Sequence, residues 1–133
     1  MLAHVPLMIV PLALYNLGLA GLFGDIADPW QTELFSLTML SGGTWTLSLA
    51  DLLVLVALLL LFAEVLKATR TSNASVLDHL LSTLVFVAFL VEFLLVRRAA
   101  SSLFFILMAI ALVDVLAGFA VSLRAASRDV NFR

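Results

Sequence analysis

Any chemistry in this chain has to come from a few polar side chains set inside long apolar runs. Asp114 is the clearest case, because it lies in the run 103–123 with no Lys, Arg or His near it in sequence. A charged side chain at the centre of a bilayer costs roughly 2.5–3.5 kcal/mol on insertion scales, so such a residue needs a partner, a proton or water. Ala111, Asp114, Gly118 and Ser122 recur at helical spacing. They form one small, polar stripe that admits close approach of another helix. Counted from the connection before this run, Ser82 and Thr83 reach the depth of Asp114, and Asn16 and Tyr15 are expected near the same level. Two roles fit such a residue. One is a proton or cation site at mid-membrane. The other is a neutral or hydrogen-bonded Asp that holds helices together, since a low dielectric disfavours charge.

Glu92 sits about one turn inside the end of the third run and shares a helix face with Asp78, Ser82 and Val85. Arg97 or Arg98 can fold back toward it, with Asp51 expected at similar depth, as an ion-pair group that fixes helix register. Glu64 and His79 are expected at matching depth on antiparallel neighbours near the opposite end. There histidine can carry a proton or sense pH, or the pair simply holds two helices together. Lys67, Arg97, Arg98 and Arg124 stand at helix ends, placed for ion pairing with these acids or with head groups. The only other histidine is His4, and no carboxylate spacing accompanies either one, so no metal or haem site is expected. The chain has no cysteine, which removes disulfides and thiolate ligands. No nucleophile–base–orienter set, HExxH motif or phosphate loop is present, so neither an enzyme nor a cofactor protein is expected.

The elements that position these groups follow from composition. Of 133 residues, 64% are hydrophobic and 12% charged, with mean hydropathy +1.21. Soluble domains carry about half apolar and a quarter charged residues, and a small domain leaves much of its surface wet. Lipid must therefore be the main solvent. A crossing takes about 20 apolar residues, and four stretches fit: 2–23, 49–66, 76–96 and 103–123. The expectation is a single all-α membrane domain over 1–133: four transmembrane helices in an up-down bundle, with an extracytoplasmic β-hairpin between the first two. The first run lacks a Lys/Arg-rich start and a small-x-small cleavage site, so it reads as a retained helix. Pro6 and Pro11 predict a bend in it, and Gly18, Gly21 and Gly24 offer a surface for close packing. The second run is apolar all round over 52–63 and opens on Ser48-x-x-Asp51, a capping box.

The segment 24–48 carries the hairpin signal. Phe35, Leu37 and Met39 alternate with Ser36 and Thr38; Trp45, Leu47 and Leu49 alternate with Thr44, Thr46 and Ser48. Period-two alternation on both sides of Gly42-Gly43 predicts strands over 33–49. A lone hairpin is marginal in water, so its apolar face (Phe35, Leu37, Trp45 and Leu47) needs cover from the membrane boundary or a neighbouring subunit. Trp30 and Trp45 suit an interfacial belt. The alternative is an irregular loop lying on the lipid surface.

Lys67, Arg70, Arg124, Arg128 and Arg133 outnumber Arg97 and Arg98 on the other side, which places both termini in the cytoplasm. With net charge −2 and the basic residues at helix ends, nucleic-acid binding has no electrostatic support. The stretch from Thr44 to Asp51, the Lys67-Ala68-Thr69-Arg70-Thr71 loop, Asp78-His79, and the runs Leu84-Val85-Phe86-Val87 and Val91-Glu92-Phe93-Leu94-Leu95-Val96 carry a resemblance. They look like an uncharacterised group of small four-span proteobacterial membrane proteins. The resemblance covers most of the chain, implies a bacterial inner-membrane location, and brings no catalytic or ligand residue with it. The leading expectation for function is a small structural or accessory subunit that associates laterally, as a homo-oligomer or within a larger membrane complex. The alternative is an oligomeric proton- or cation-conducting channel or small transporter, using Asp114 with Glu92 or Glu64.

Overall fold

Ser48 ends a strand and starts a helix. Its hydroxyl accepts the Asp51 backbone N–H at 3.2 Å, and the Asp51 carboxylate accepts the Ser48 N–H at 3.0 Å. This is the capping box read from the sequence, and it satisfies two amides that the helix leaves over. Asp51 is exposed in this role, a cap at the helix start and not a member of an ion-pair group at the depth of Glu92.

A computed structural model describes residues 5–21, 28–69 and 73–131, with the backbone alone at 73–76, 122 and 124–131. In chain order the elements are α1 (Ile9–Leu19), β1 (Glu33–Thr38), β2 (Thr44–Ser48), α2 (Leu49–Ala68), α3 (Asn73–Leu95) and α4 (Ser102–Asn131). Short 3₁₀ turns at Pro29–Gln31 and Arg97–Ala99 precede β1 and α4. Among the described residues, three segments are long and apolar enough to cross a membrane: Leu49–Ala68, Leu77–Leu95 and Ser102–Val121. The last is the most buried of them, and α4 packs between α2 and α3.

The first segment departs from the expected span. Its helix is 11 residues long, about 16 Å at 1.5 Å per residue, against a hydrocarbon core of roughly 30 Å. Pro6 precedes the helix and Pro11 lies in its first turn, where a missing N–H leaves no hydrogen bond broken. The two prolines set where the helix begins; they do not bend it in the middle. At the other end of the chain, α4 runs on to Asn131, past the expected stop near 123.

The hairpin forms as an antiparallel pair with Phe35 opposite Leu47 and Leu37 opposite Trp45. Residues directly opposite share a face, so these four make one apolar side, while Ser36, Thr38, Thr44 and Thr46 make the other. The register shifts between Glu33 and Phe35, which leaves Leu34 as the extra residue of a bulge. Gly42 takes φ +90° at the turn, a left-handed conformation that suits glycine. Leu49 N–H donates to the Thr32 carbonyl at 2.8 Å, tying the base of the hairpin to the start of α2. Phe35 and Trp45 meet edge-on at 5.2 Å, yet both remain substantially exposed.

Trp30 behaves differently from Trp45. It is buried, not part of an exposed belt, and stacks on Tyr15 with ring centroids 5.5 Å apart. Its backbone N–H is held by the Asp28 carboxylate at 3.2 Å. Tyr15 in turn meets Phe104 edge-on at 4.9 Å, and Phe104 contacts Phe89 at 5.3 Å. This aromatic column ties α1 and the Pro29–Gln31 turn to α3 and α4. Gly18 is what lets the indole in: a Cβ there would lie 2.5 Å from Trp30 Cζ2. Gly18→Ala is therefore expected to displace a rigid ring held by its stacking, lowering stability by about 1–3 kcal/mol. A fall in the detergent melting temperature with a shift in tryptophan emission checks it.

Candidate functional site

Glu64 and Lys67 stand one turn apart near the end of α2. Glu64 is 2% exposed, and Lys67 Nζ lies 3.4 Å from its carboxylate. The same ammonium reaches Asp78 on α3 at 3.2 Å and donates to the Val5 carbonyl at 2.7 Å. Asp78 Oδ1 faces Lys67 at ion-pair distance without the alignment of a hydrogen bond. Glu64 also accepts the Leu7 backbone N–H. This contact follows from Pro6: a non-helical stretch leaves backbone donors and acceptors that need partners once water is excluded. One carboxylate and one ammonium of α2 supply them on either side of the proline.

Asp114 approaches the same place from α4. It is 5% exposed, and the Ser82 hydroxyl of α3 is hydrogen-bonded to it. Its other oxygen, Oδ2, is buried and makes no hydrogen bond. Glu64, Asp78, His79, Ser82, Asp114 and Gly118 line a cavity of about 10 Å³, room for about one water. Gly118 keeps α4 close to α3, since a Cβ there would lie 3.1 Å from His79 Nδ1. Among the described residues, the buried polar and charged side chains are Glu64, Asp78, Ser82 and Asp114, and all four belong to this one cluster.

Electrostatics make the cluster unusual. Among the described residues, the cluster holds the carboxylates of Glu64, Asp78 and Asp114 and the ammonium of Lys67, so full ionisation would leave two surplus negative charges in a nearly dry space. Burying unpaired charge is strongly unfavourable, whereas paired and hydrogen-bonded charge is tolerated. The arrangement can hold helices in register, and it can accept a proton, a water or a small cation at Asp114 Oδ2. Among the described residues, no three His, Asp or Glu side chains converge as a metal site.

The remaining candidates gather near the α3–α4 connection. Glu92 Oε1 accepts from Asn16 Nδ2 at 3.0 Å, so its partner is an α1 amide where an arginine was expected. Asn16 also donates to the Leu12 carbonyl at 2.9 Å. The Tyr15 hydroxyl donates to the Arg98 carbonyl at 2.9 Å and lies 3.0 Å from Ser101 Oγ. Arg98 Nη1 donates to the Leu19 carbonyl at 2.8 Å. Tyr15 and Asn16 thus belong with the connection before α4, not with Asp114. Arg97 is exposed. The side chains of Ser122 and Arg124 and the whole of Arg70 lie outside the described residues.

The structure brings Glu64, His79, Ser82 and Asp114 together and leaves Glu92, Asn16 and Asp51 apart from them. Sequence reasoning missed the Leu7 amide and Val5 carbonyl as partners, and it gave Asp78 no place in the site. Pro6 was the available signal, because a proline-broken segment beside apolar helices needs side-chain partners for its backbone. Comparison with protein-family models, with curated proteins and with solved structures finds no match for the chain.

Removing the shared ammonium should expose the charge imbalance. Lys67→Met is expected to lose on the order of 3 kcal/mol, the scale seen when one member of a buried pair is deleted. Lys67→Met with Asp78→Asn should recover part of that loss, since one orphaned charge goes with it. Unfolding titrations of the two variants in detergent give the comparison.

Proposed function

We propose that this chain is a small structural or accessory protein of the bacterial inner membrane, with both termini cytoplasmic, that associates laterally as a homo-oligomer or with a larger membrane complex. One observation carries the reading. The buried polar side chains of α2, α3 and α4 are turned toward one another around a space for about one water, while the outward surfaces are apolar. The space between the three helices at this cluster is too small for a solute larger than water. Leu55, Leu58, Leu59, Phe62 and Leu66 of α2 are exposed, as are Phe35, Leu37 and Trp45 of the hairpin. These surfaces suit lipid and neighbouring subunits. The depth of the cluster fits the same picture. Asp114 lies twelve residues after Ser102, about 18 Å along α4, which is past the middle of a core of roughly 30 Å.

A second reading, an oligomeric proton or cation channel or small transporter, is favoured by Asp114 Oδ2, which is buried without a hydrogen bond beside the water-sized cavity. Extraction directly into native lipid nanodiscs separates the two. The accessory reading predicts a particle several chains in size, or one containing a second protein, and no ion flux in liposomes. A monodisperse single chain would contradict it. Proton or cation flux that Asp114→Asn abolishes would favour the channel, and flux absent or unchanged in that variant would remove it.

A further inference from the structure

The face of the molecule away from Lys67 holds a second cavity, of about 490 Å³, lined by Tyr15, Asp28, Trp30, Arg97, Arg98 and Ser102 among others. That volume is within the range of small-molecule sites, which run roughly 300–1,000 Å³. Its charges are arranged by opposite signs on two walls. Asp28 stands on the Pro29–Gln31 side, and Arg97 and Arg98 stand on the connection between α3 and α4. Among the described residues, Asp28 and Arg97 form no ion pair with each other. The floor is the stacked Tyr15–Trp30 pair, buried and fixed by the hydrogen bonds of Tyr15 to the Arg98 carbonyl and Ser101.

Trp30 is also a wall of a different space. An apolar groove of about 200 Å³ is lined by Leu14, Trp30, Leu49, Leu52, Leu53 and Val56, on α1 and the first turns of α2. One indole therefore borders both a charged crevice and an apolar slot, at the end of the molecule where α2 and α4 begin. That pairing is the chemistry of an amphiphile at a membrane boundary: a polar head beside a hydrocarbon chain. Guanidinium groups bind phosphate oxygens well. A carboxylate lining the same crevice selects a head that also carries a hydrogen-bonding ammonium.

We propose that this crevice and groove bind a phospholipid whose head group carries both a phosphate and a primary ammonium. The phosphate lies toward Arg97, the ammonium toward Asp28, and an acyl chain along the Leu49–Leu53 side of Trp30. A free phosphate ester bearing the same amine shares the head-group chemistry but leaves the groove empty.

Native mass spectrometry of the delipidated full chain tests this. The probes are phosphatidylethanolamine, phosphatidylcholine, phosphatidylglycerol and free phosphoethanolamine. Phosphatidylethanolamine is expected to bind most tightly, by about fivefold over the other two lipids, the scale of one exposed charge contact. Arg97→Gln should weaken all three lipids, and Asp28→Asn should erase the preference over phosphatidylcholine, whose quaternary ammonium donates no hydrogen bond. Leu52→Asn should weaken the lipids and leave free phosphoethanolamine unchanged. Equal binding of the three lipids by the wild type would overturn the proposal, as would indifference to Asp28→Asn. Free phosphoethanolamine binding as tightly as the lipid would reassign the site to a soluble ligand and overturn the lipid assignment. Arg97 and Leu52 are exposed, and Asp28→Asn keeps a side-chain oxygen for the Trp30 backbone N–H, so the variants change the ligand contacts and keep the fold.

Discussion

Polar groups carried into an apolar medium must be satisfied by the protein itself, and that constraint organises this molecule. It is met at one point by the carboxylate of Glu64 and the ammonium of Lys67. Between them they hold Asp78 on α3 and the backbone of Val5 and Leu7 ahead of α1. Asp114, bonded to Ser82, closes the same cluster from α4. Four parts of the chain are joined there by interactions that water would compete away at a surface and that strengthen where water is scarce. Ala57, Phe89, Leu107 and Ala111 are buried between the helices, whose outer sides stay uncovered.

Much of this was legible in the sequence. Period-two alternation around Gly42-Gly43 gave the hairpin and its faces, because strand side chains alternate whatever the tertiary setting. Ser48 and Asp51 gave the start of α2, because a capping box is local. Depth counting brought Asp114 level with Ser82 and Glu64 level with His79, because helix rise is fixed. What depended on partners distant in sequence was not legible. The pairing of Glu92 with Asn16 requires knowing how α1 packs, and the burial of Trp30 depends on Gly18 being the residue beneath it. Hydropathy also placed the start of α1 too early, since the run 2–23 is apolar throughout while Pro6 and Pro11 hold the helix start at Ile9.

The two ends of the molecule are built on different physics. Near Lys67 the stabilising contacts are charged and buried, packed so closely that space remains for about one water. Near Tyr15 they are aromatic and hydrogen-bonded, and they leave an open crevice with charges of both signs on its walls. A closed polar cluster suits a role in holding helices; an open amphiphilic one suits contact with something outside the chain. The apolar face of the hairpin, continuous with the start of α2 through the Leu49–Thr32 hydrogen bond, adds to the outward-facing surface at that same end.

Everything here depends on the acids of the helices facing one another, with acyl chains and bulk water kept out. The chain has no cysteine, so cross-linking of engineered pairs in native membranes reads that directly. Ser82→Cys with Asp114→Cys should cross-link, directly or through a short bifunctional thiol reagent, because both side chains line the same water-sized cavity between α3 and α4. Ser82→Cys with Val113→Cys should not, because Val113 is exposed on another face of α4. Failure of the first pair, together with rapid labelling of Cys at position 114 by a membrane-impermeant thiol reagent, would contradict the account.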